Sequence, residues 1–293
     1  QESMKINLFI LLIFSTLIYC QNDKIRALEE QGIIVGIQTW SFRTMSNQSP
    51  LAILDYIKQT GIKHVELMGN HVEPYVGIFE ESKNISKLRN EVPISKFKEL
   101  RKLYNDAGIS IFAFKPRRCF EKYNTDDEIR YGMRAAKALG ATHITLEHPS
   151  DDKHTLRLSK IASEEDILVG YHNHEQGTPT LWDTAISQSN FNRLNIDLGH
   201  YTASETGDPL EIFKDKHNKI VSMHIKDRKR LSRGGANLVW GQGDTPIKEA
   251  IKIYKKKGYD FPLTIELEYE IPKGSDEISE VKKCISYIYN SLF

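Results

Sequence analysis

Eight short apolar runs, each followed by a stretch of helical periodicity, set the tightest limit on what this chain can fold into. The runs are Ile33–Thr39, Lys63–Leu67, Ile109–Phe114, Thr142–Glu147, Ile167–His172, Arg193–Leu198, Ile220–Ile225 and Pro262–Glu266. The first, Ile33-Ile-Val-Gly-Ile-Gln-Thr39, is rich in β-branched residues, as expected of a strand buried on both faces. Helical patterns lie between the runs. Ser49-Pro50 opens one that stops at Gly61, and others cover Ser95–Ala107, Thr125–Leu139, Leu156–Ala162, Thr180–Ser187, a stretch from Pro209, Pro246–Lys257 and Asp276–Tyr289. A longer insertion separates Gly69 from Pro93. Alternating units predict an α/β fold with a parallel sheet, and eight of them predict a single closed (β/α)8 TIM barrel. An open doubly wound sheet is the other topology, but no Gly-x-Gly-x-x-Gly follows the first strand.

The 293 residues suffice for such a barrel, which commonly takes about 250. With 27% charged residues and a formal net charge of +1, nothing in the bulk charge argues for nucleic acid or a membrane surface as partner. Met4 and Lys5 precede an apolar run from Leu8 to Tyr19. That run is short of the roughly 20 residues of a spanning helix and has the length of a signal h-region. Residues 1–21 are therefore expected to be a signal peptide, 22–32 a polar linker and 33–293 one barrel domain. The expected location is outside the cytoplasm, periplasmic or at the cell envelope, with no transmembrane span. Cys20 sits where a lipid-anchored bacterial cysteine would, although Tyr19 is bulkier than the residue usual before it; ordinary cleavage nearby is the alternative. Past it only Cys119 and Cys284 remain, and their spacing argues neither for a disulfide nor for a thiolate metal site.

In a parallel barrel the C-terminal strand ends share one mouth. Here those ends deliver Gln38 and Trp40, Glu66, Lys115, Glu147 and His148, His172 and His174, Asp197 and His200, His224 and Lys226, then Glu266 and Glu268. Glu147, Asp197, His224 and Glu266 are the candidate metal ligands. Three carboxylates and one imidazole suit a borderline-to-hard divalent ion, Mn2+ first, with Co2+, Mg2+ or Zn2+ also compatible. Three carboxylates confined together would otherwise leave at least one protonated. An ion removes that conflict and supplies a Lewis acid for a ketone. Candidate acid–base groups are Glu147, Glu266, His172 and His174. Lys115 and Lys226 are suited to steady enediolate oxygens, Trp40 and Trp240 to stack on a sugar ring, and Glu66 to contact substrate.

Six segments carry a family resemblance: L-E-H-P (146–149), Y-H-N-H (171–174), I-D-L-G-H (196–200), H-I-K-D (224–227), W-G-Q-G (240–243) and E-L-E-Y-E (266–270). The chain resembles the xylose isomerase-like TIM-barrel superfamily, the sugar phosphate isomerase/epimerase group with its ketose 3-epimerases and inosose dehydratases. The segments cover strands four to eight in order; the first three strands match in general character only. The resemblance implies a metal held by Asp197, His224, Glu266 and one further ligand. Ketose epimerases place a glutamate at the end of strand five, where this chain has His172. Glu147 is then the expected fourth ligand, with His172 its rival. The resemblance also implies substrate contacts by His200, three residues after the aspartate ligand, and by Arg230, six after the histidine ligand. The expected activity is a metal-dependent isomerase or epimerase that removes a proton next to the carbonyl of a keto sugar. A 3-keto-glycoside lyase or hydratase, an inosose dehydratase-like lyase and a non-catalytic sugar-binding barrel are the alternatives.

Overall fold

The eight apolar runs form eight parallel strands: β1 (Val35–Gln38), β2 (His64–Met68), β3 (Ser110–Lys115), β4 (His143–Glu147), β5 (Leu168–His172), β6 (Asn192–Asp197), β7 (Ile220–Ile225) and β8 (Leu263–Ile265). Each pairs with its neighbours in sequence, and β8 pairs with β1, so the sheet closes into a single (β/α)8 barrel. The structure is a computed structural model that describes residues 23–293. The expected signal segment, residues 1–21 with Cys20, lies outside the described residues. Among the described residues no helix is long and apolar enough to cross a membrane.

Local chemistry sets the helix ends. The helix Pro50–Thr60 (α2) starts at Ser49, whose Oγ accepts from the Ala52 amide at 3.3 Å, and stops at Gly61, held at φ 83°. Asp126–Leu139 (α6) opens with a capping box between Thr125 and Glu128.

Four stretches differ from the sequence reading. Residues 23–30, expected as linker, are helical (α1), and Ile25 and Leu28, three apart on one face, are buried in the core. The insertion after β2 contains two short helices, Gly69–Val76 (α3) and Ile85–Glu91 (α4). Pro74 inside α3 masks its helical pattern. A buried Arg89, 3.6 Å from both Glu73 and Glu128, ties the two helices to α6, and no local periodicity announces that contact. The helix before β5 (α7) runs over Asp152–Glu165, longer than Leu156–Ala162, because Asp151 caps it upstream. A seven-residue helix, Leu198–Ser204 (α9), follows β6 directly, with Asp197 as its N-cap.

The barrel interior is polar below its mouth as well. His143 Nε2 on β4 lies 2.9 Å from Ser222 Oγ on β7, and Asn195 Nδ2 donates to the same hydroxyl at 2.6 Å. Strands β4 and β7 are not neighbours, so the first contact crosses the interior.

Candidate functional site

Strand register decides which side chains meet. Glu147 is level with His172, His172 with Asn195, and Asp197 with His224. His224 lies between two carboxylates, its Nε2 2.6 Å from Glu66 Oε2 and its Nδ1 2.9 Å from Glu266 Oε2. Thr145 donates to the other Glu66 oxygen at 2.5 Å. Burial alone would lower the His224 pKa; Glu66 and Glu266 outweigh it and push it up to about 10.

Asp197 divides its two oxygens between structure and site. Oδ1 accepts from the His200 amide at 2.8 Å, capping the helix after β6. Oδ2 is buried and receives no aligned hydrogen bond, although Lys226 Nζ lies 3.0 Å away. The ammonium thus contributes charge there rather than a directed bond. Burial opposes the Asp197 charge, but Lys226, His200 and His172 outweigh it and bring its pKa to about 2. Lys226 Nζ also lies 2.8 Å from Glu266 Oε2 and 2.7 Å from Glu268 Oε2.

His172 is oriented from behind. Its Nδ1 lies 2.6 Å from Asn195 Oδ1, an acceptor, so Nδ1 carries the proton and Nε2 keeps a free lone pair. Burial, then the His224 charge, hold its pKa well below the ordinary histidine value and the ring neutral. His172 Nε2 is 3.9 Å and His224 Nδ1 4.0 Å from Asp197 Oδ2. Donor atoms around an ion with bonds of about 2.0–2.2 Å lie roughly 3–4 Å apart, so this group has the right spacing for a divalent ion. The charges agree. Glu66, Glu147, Asp197, Glu266 and Glu268 face Lys115, Lys226 and the His224 imidazolium, which leaves an excess of negative charge.

Glu147 and His174 form the outer part of the site. Lys115 Nζ donates to Glu147 Oε1 at 2.6 Å, and His174 Nε2 is 3.8 Å from the same oxygen. Both Glu147 and His174 side chains are 44% exposed. A cavity of 610 Å³ opens on the Glu147 side, lined by Trp40, Lys115, Thr145, Glu147 and His148 among others.

A sequence profile of the xylose isomerase-like TIM barrel matches residues 54–287. The chain belongs to that family. Solved structures agree on the fold. The probable 3-DHS dehydratase AsbF of Bacillus anthracis superposes with a TM-score of 0.65 at 14% identity, over 87% of this chain and 98% of that one. The 3-keto-D-glucoside 4-epimerase of E. coli gives 0.63 at 12%, over 88% and 99%. A Mycobacterium smegmatis xylose isomerase-like barrel in complex with magnesium gives 0.57 at 16%, over 82% and 87%. Among curated proteins no sequence matches.

This xylose isomerase-like barrel places the remaining expected residues unevenly. Asp197, His224 and His172 come together, and Glu266 touches His224 but lies outside that group, with Lys226 between it and Asp197. Glu147 pairs with Lys115 and belongs to neither of the two groups of mutually close ligand atoms, His172–Asp197–His224 and His172–His174–His200. Glu66, expected to touch substrate, is fully buried with both oxygens engaged. His200 is at the mouth, its Nε2 3.6 Å from Glu268 Oε2. Arg230 is exposed and lines a separate hollow with Glu205, Asp208 and Asp244. Arg228 faces inward instead, donating to Glu175 and His200 Nδ1. The cause is the two-residue strand Asp227–Arg228, which pairs antiparallel with Asn237–Leu238 and turns the chain. Trp240 is buried edge-on against Tyr287, 5.9 Å between ring centroids, and is a packing residue. Its loop serves Asp227, whose Oδ2 accepts from the amides of Gly241 and Gly243 at 2.7 and 2.9 Å. A Cβ at Gly243 would sit 2.2 Å from Asp227 Oδ1, so the close approach requires glycine. Asn173 and Asn195 were absent from the expected set. Asn173 exchanges hydrogen bonds with the Asp197 backbone, and the signal for it was its place inside Y-H-N-H.

Proposed function

We propose that this protein is a divalent-metal-dependent enzyme that moves a proton at the carbon next to the carbonyl of a keto sugar. The observation that carries the reading is the buried His172–Asp197–His224 group, with an unbonded Asp197 oxygen, near two half-exposed proton carriers, of which Glu147 lines an open cavity. Asp197, His224 and His172 would hold the ion, with Glu266, 2.9 Å from His224, as a fourth donor. Mn2+ remains our first choice; replacing Glu147 by His172 moves the donor set toward nitrogen, and so toward Co2+ and Zn2+. The family's neighbours include one solved with magnesium.

When bound, the ion would supply Lewis acidity for the carbonyl oxygen. Glu147 is the group we assign to proton abstraction: it is open to the cavity, and Lys115 offsets the cost of its burial and holds its pKa below the ordinary glutamate value. His174 is the partner that returns or relays the proton. His172 and Glu266 are too enclosed for that task and serve as donors to the ion. Lys115 is placed to steady developing negative charge, and Trp40, 37% exposed, to cover a sugar face. The expected export accords with a sugar lacking phosphate.

Two-base epimerisation needs acid and base on opposite faces of one carbon. Glu147 and His174 lie 3.8 Å apart on one side. That arrangement suits a proton shift to the neighbouring carbon, or loss of a β-substituent with His174 protonating the leaving oxygen. Isomerisation is therefore our first reading and elimination the second. The Glu147→Gln variant should lose solvent-deuterium exchange into a keto sugar by about a hundredfold or more while keeping its metal content. Retained exchange would remove Glu147 from the chemistry.

A further inference from the structure

The two carboxylates that the metal reading assigns to the ion are not close together. Glu266 lies outside the group of ligand atoms within 4.8 Å of one another, although it is 2.9 Å from His224, a member of that group. The ammonium of Lys226 stands in the gap, 3.0 Å from Asp197 Oδ2 and 2.8 Å from Glu266 Oε2, on a side chain only 3% exposed. We propose that Lys226 is a resident cation that bridges Asp197 and Glu266 in the ion-free barrel, withdraws onto Glu268 when a divalent ion binds, and thereby sets the affinity for that ion.

The proposal rests on the metal-dependent reading above. An ammonium and a divalent ion repel strongly at contact distance in a site shielded from water, so they cannot share one gap. Lys226 has somewhere to go. Its shortest contact, 2.7 Å, is to Glu268 Oε2, a carboxylate nearer the surface and outside both ligand groups. Its path is narrow. A Cβ on Gly199 would lie 2.3 Å from Lys226 Cγ and 2.7 Å from its carbonyl oxygen. The stem is therefore fixed against Gly199, and only the last torsions of the side chain are free to carry the ammonium between its three carboxylates. This explains a charged residue kept in the middle of a ligand cluster: it holds the cluster together without the ion and yields to it.

The test uses the full chain, stripped with chelator and titrated with Mn2+ by calorimetry. Lys226→Met should bind Mn2+ about tenfold more tightly than wild type, since a competing charge is gone. Glu268→Gln should bind about tenfold more weakly, since Lys226 has lost its retreat. Chelated Lys226→Met should also unfold at a lower temperature than chelated wild type and regain more on adding Mn2+. Wild-type or weaker Mn2+ affinity in a folded Lys226→Met overturns the role. If circular dichroism shows that variant unfolded, an unshifted Glu268→Gln affinity overturns it. No binding of Mn2+ or Zn2+ by any of the three proteins overturns the metal reading and the Lys226 role with it, whereas binding by wild type with unshifted variants overturns the Lys226 role alone.

Discussion

Glu66 reaches from β2 across the barrel to His224 on β7, where its Oε2 lies 2.6 Å from Nε2. A carboxylate behind a ligating imidazole fixes the tautomer and aims the other nitrogen. Glu66→Gln should therefore weaken metal binding by about 10- to 100-fold, read by competition against a chelating dye, with little loss of fold. Unchanged affinity would make Glu66 a mere filler of the barrel. Position along a strand was enough to nominate Asp197, His224, Glu266 and His172, because strand ends are legible from apolar runs. Depth was not: Glu66 reads as a strand end, but β2 runs two residues past it to Met68, and Glu66 lies under the mouth. The positions of Arg230 and Trp240 were not legible for another reason. Both lie beyond β7 in a segment whose path depends on one two-residue hairpin and on the Asp227 cradle, and neither has a periodic signature.

At the scale of elements, the helices α3 and α4 depend on a buried cluster of Glu73, Arg89, Glu128 and Tyr131. Burial pushes the Glu73 carboxyl up to about 7, only partly opposed by Arg89 and the Tyr131 hydroxyl. The folded chain thus holds this proton more tightly than the unfolded one. The stabilising contribution is complete below the ordinary glutamate range, near pH 4.5, and is lost as pH rises through about 7. Glu73→Gln should flatten that part of the stability–pH curve, removing a slope that amounts to roughly 3 kcal/mol between pH 4.5 and 8. Urea unfolding at a series of pH values checks it, and an unaltered slope would contradict it. These helices were hidden in the sequence because tertiary contacts through the buried Glu73, Arg89 and Glu128, not periodicity, hold them. The short helix after β6 was hidden because its N-cap is Asp197, a residue already read as a strand-end ligand. By contrast, α2 and α6 were readable from their caps alone.

For the whole molecule, the closed parallel barrel follows from eight apolar runs, and every one of those runs became a strand. Closure turns a linear series of strand ends into a ring. It is the reason Glu66 and His224, 158 residues apart, share a hydrogen bond. The chain belongs to the xylose isomerase-like family by its profile match over residues 54–287, and the particular reaction rests on the mouth rather than on the barrel. In the proposed mechanism an ion at His172, Asp197 and His224 is needed for proton removal from a keto sugar. Solvent-deuterium exchange into keto sugars and 3-keto-glycosides, measured by mass spectrometry before and after chelation, decides this. The ion-loaded protein should exchange, lose at least about 90% of that exchange after chelation, and recover it on adding Mn2+, Co2+ or Zn2+. Undiminished exchange by the fully chelated protein would contradict it.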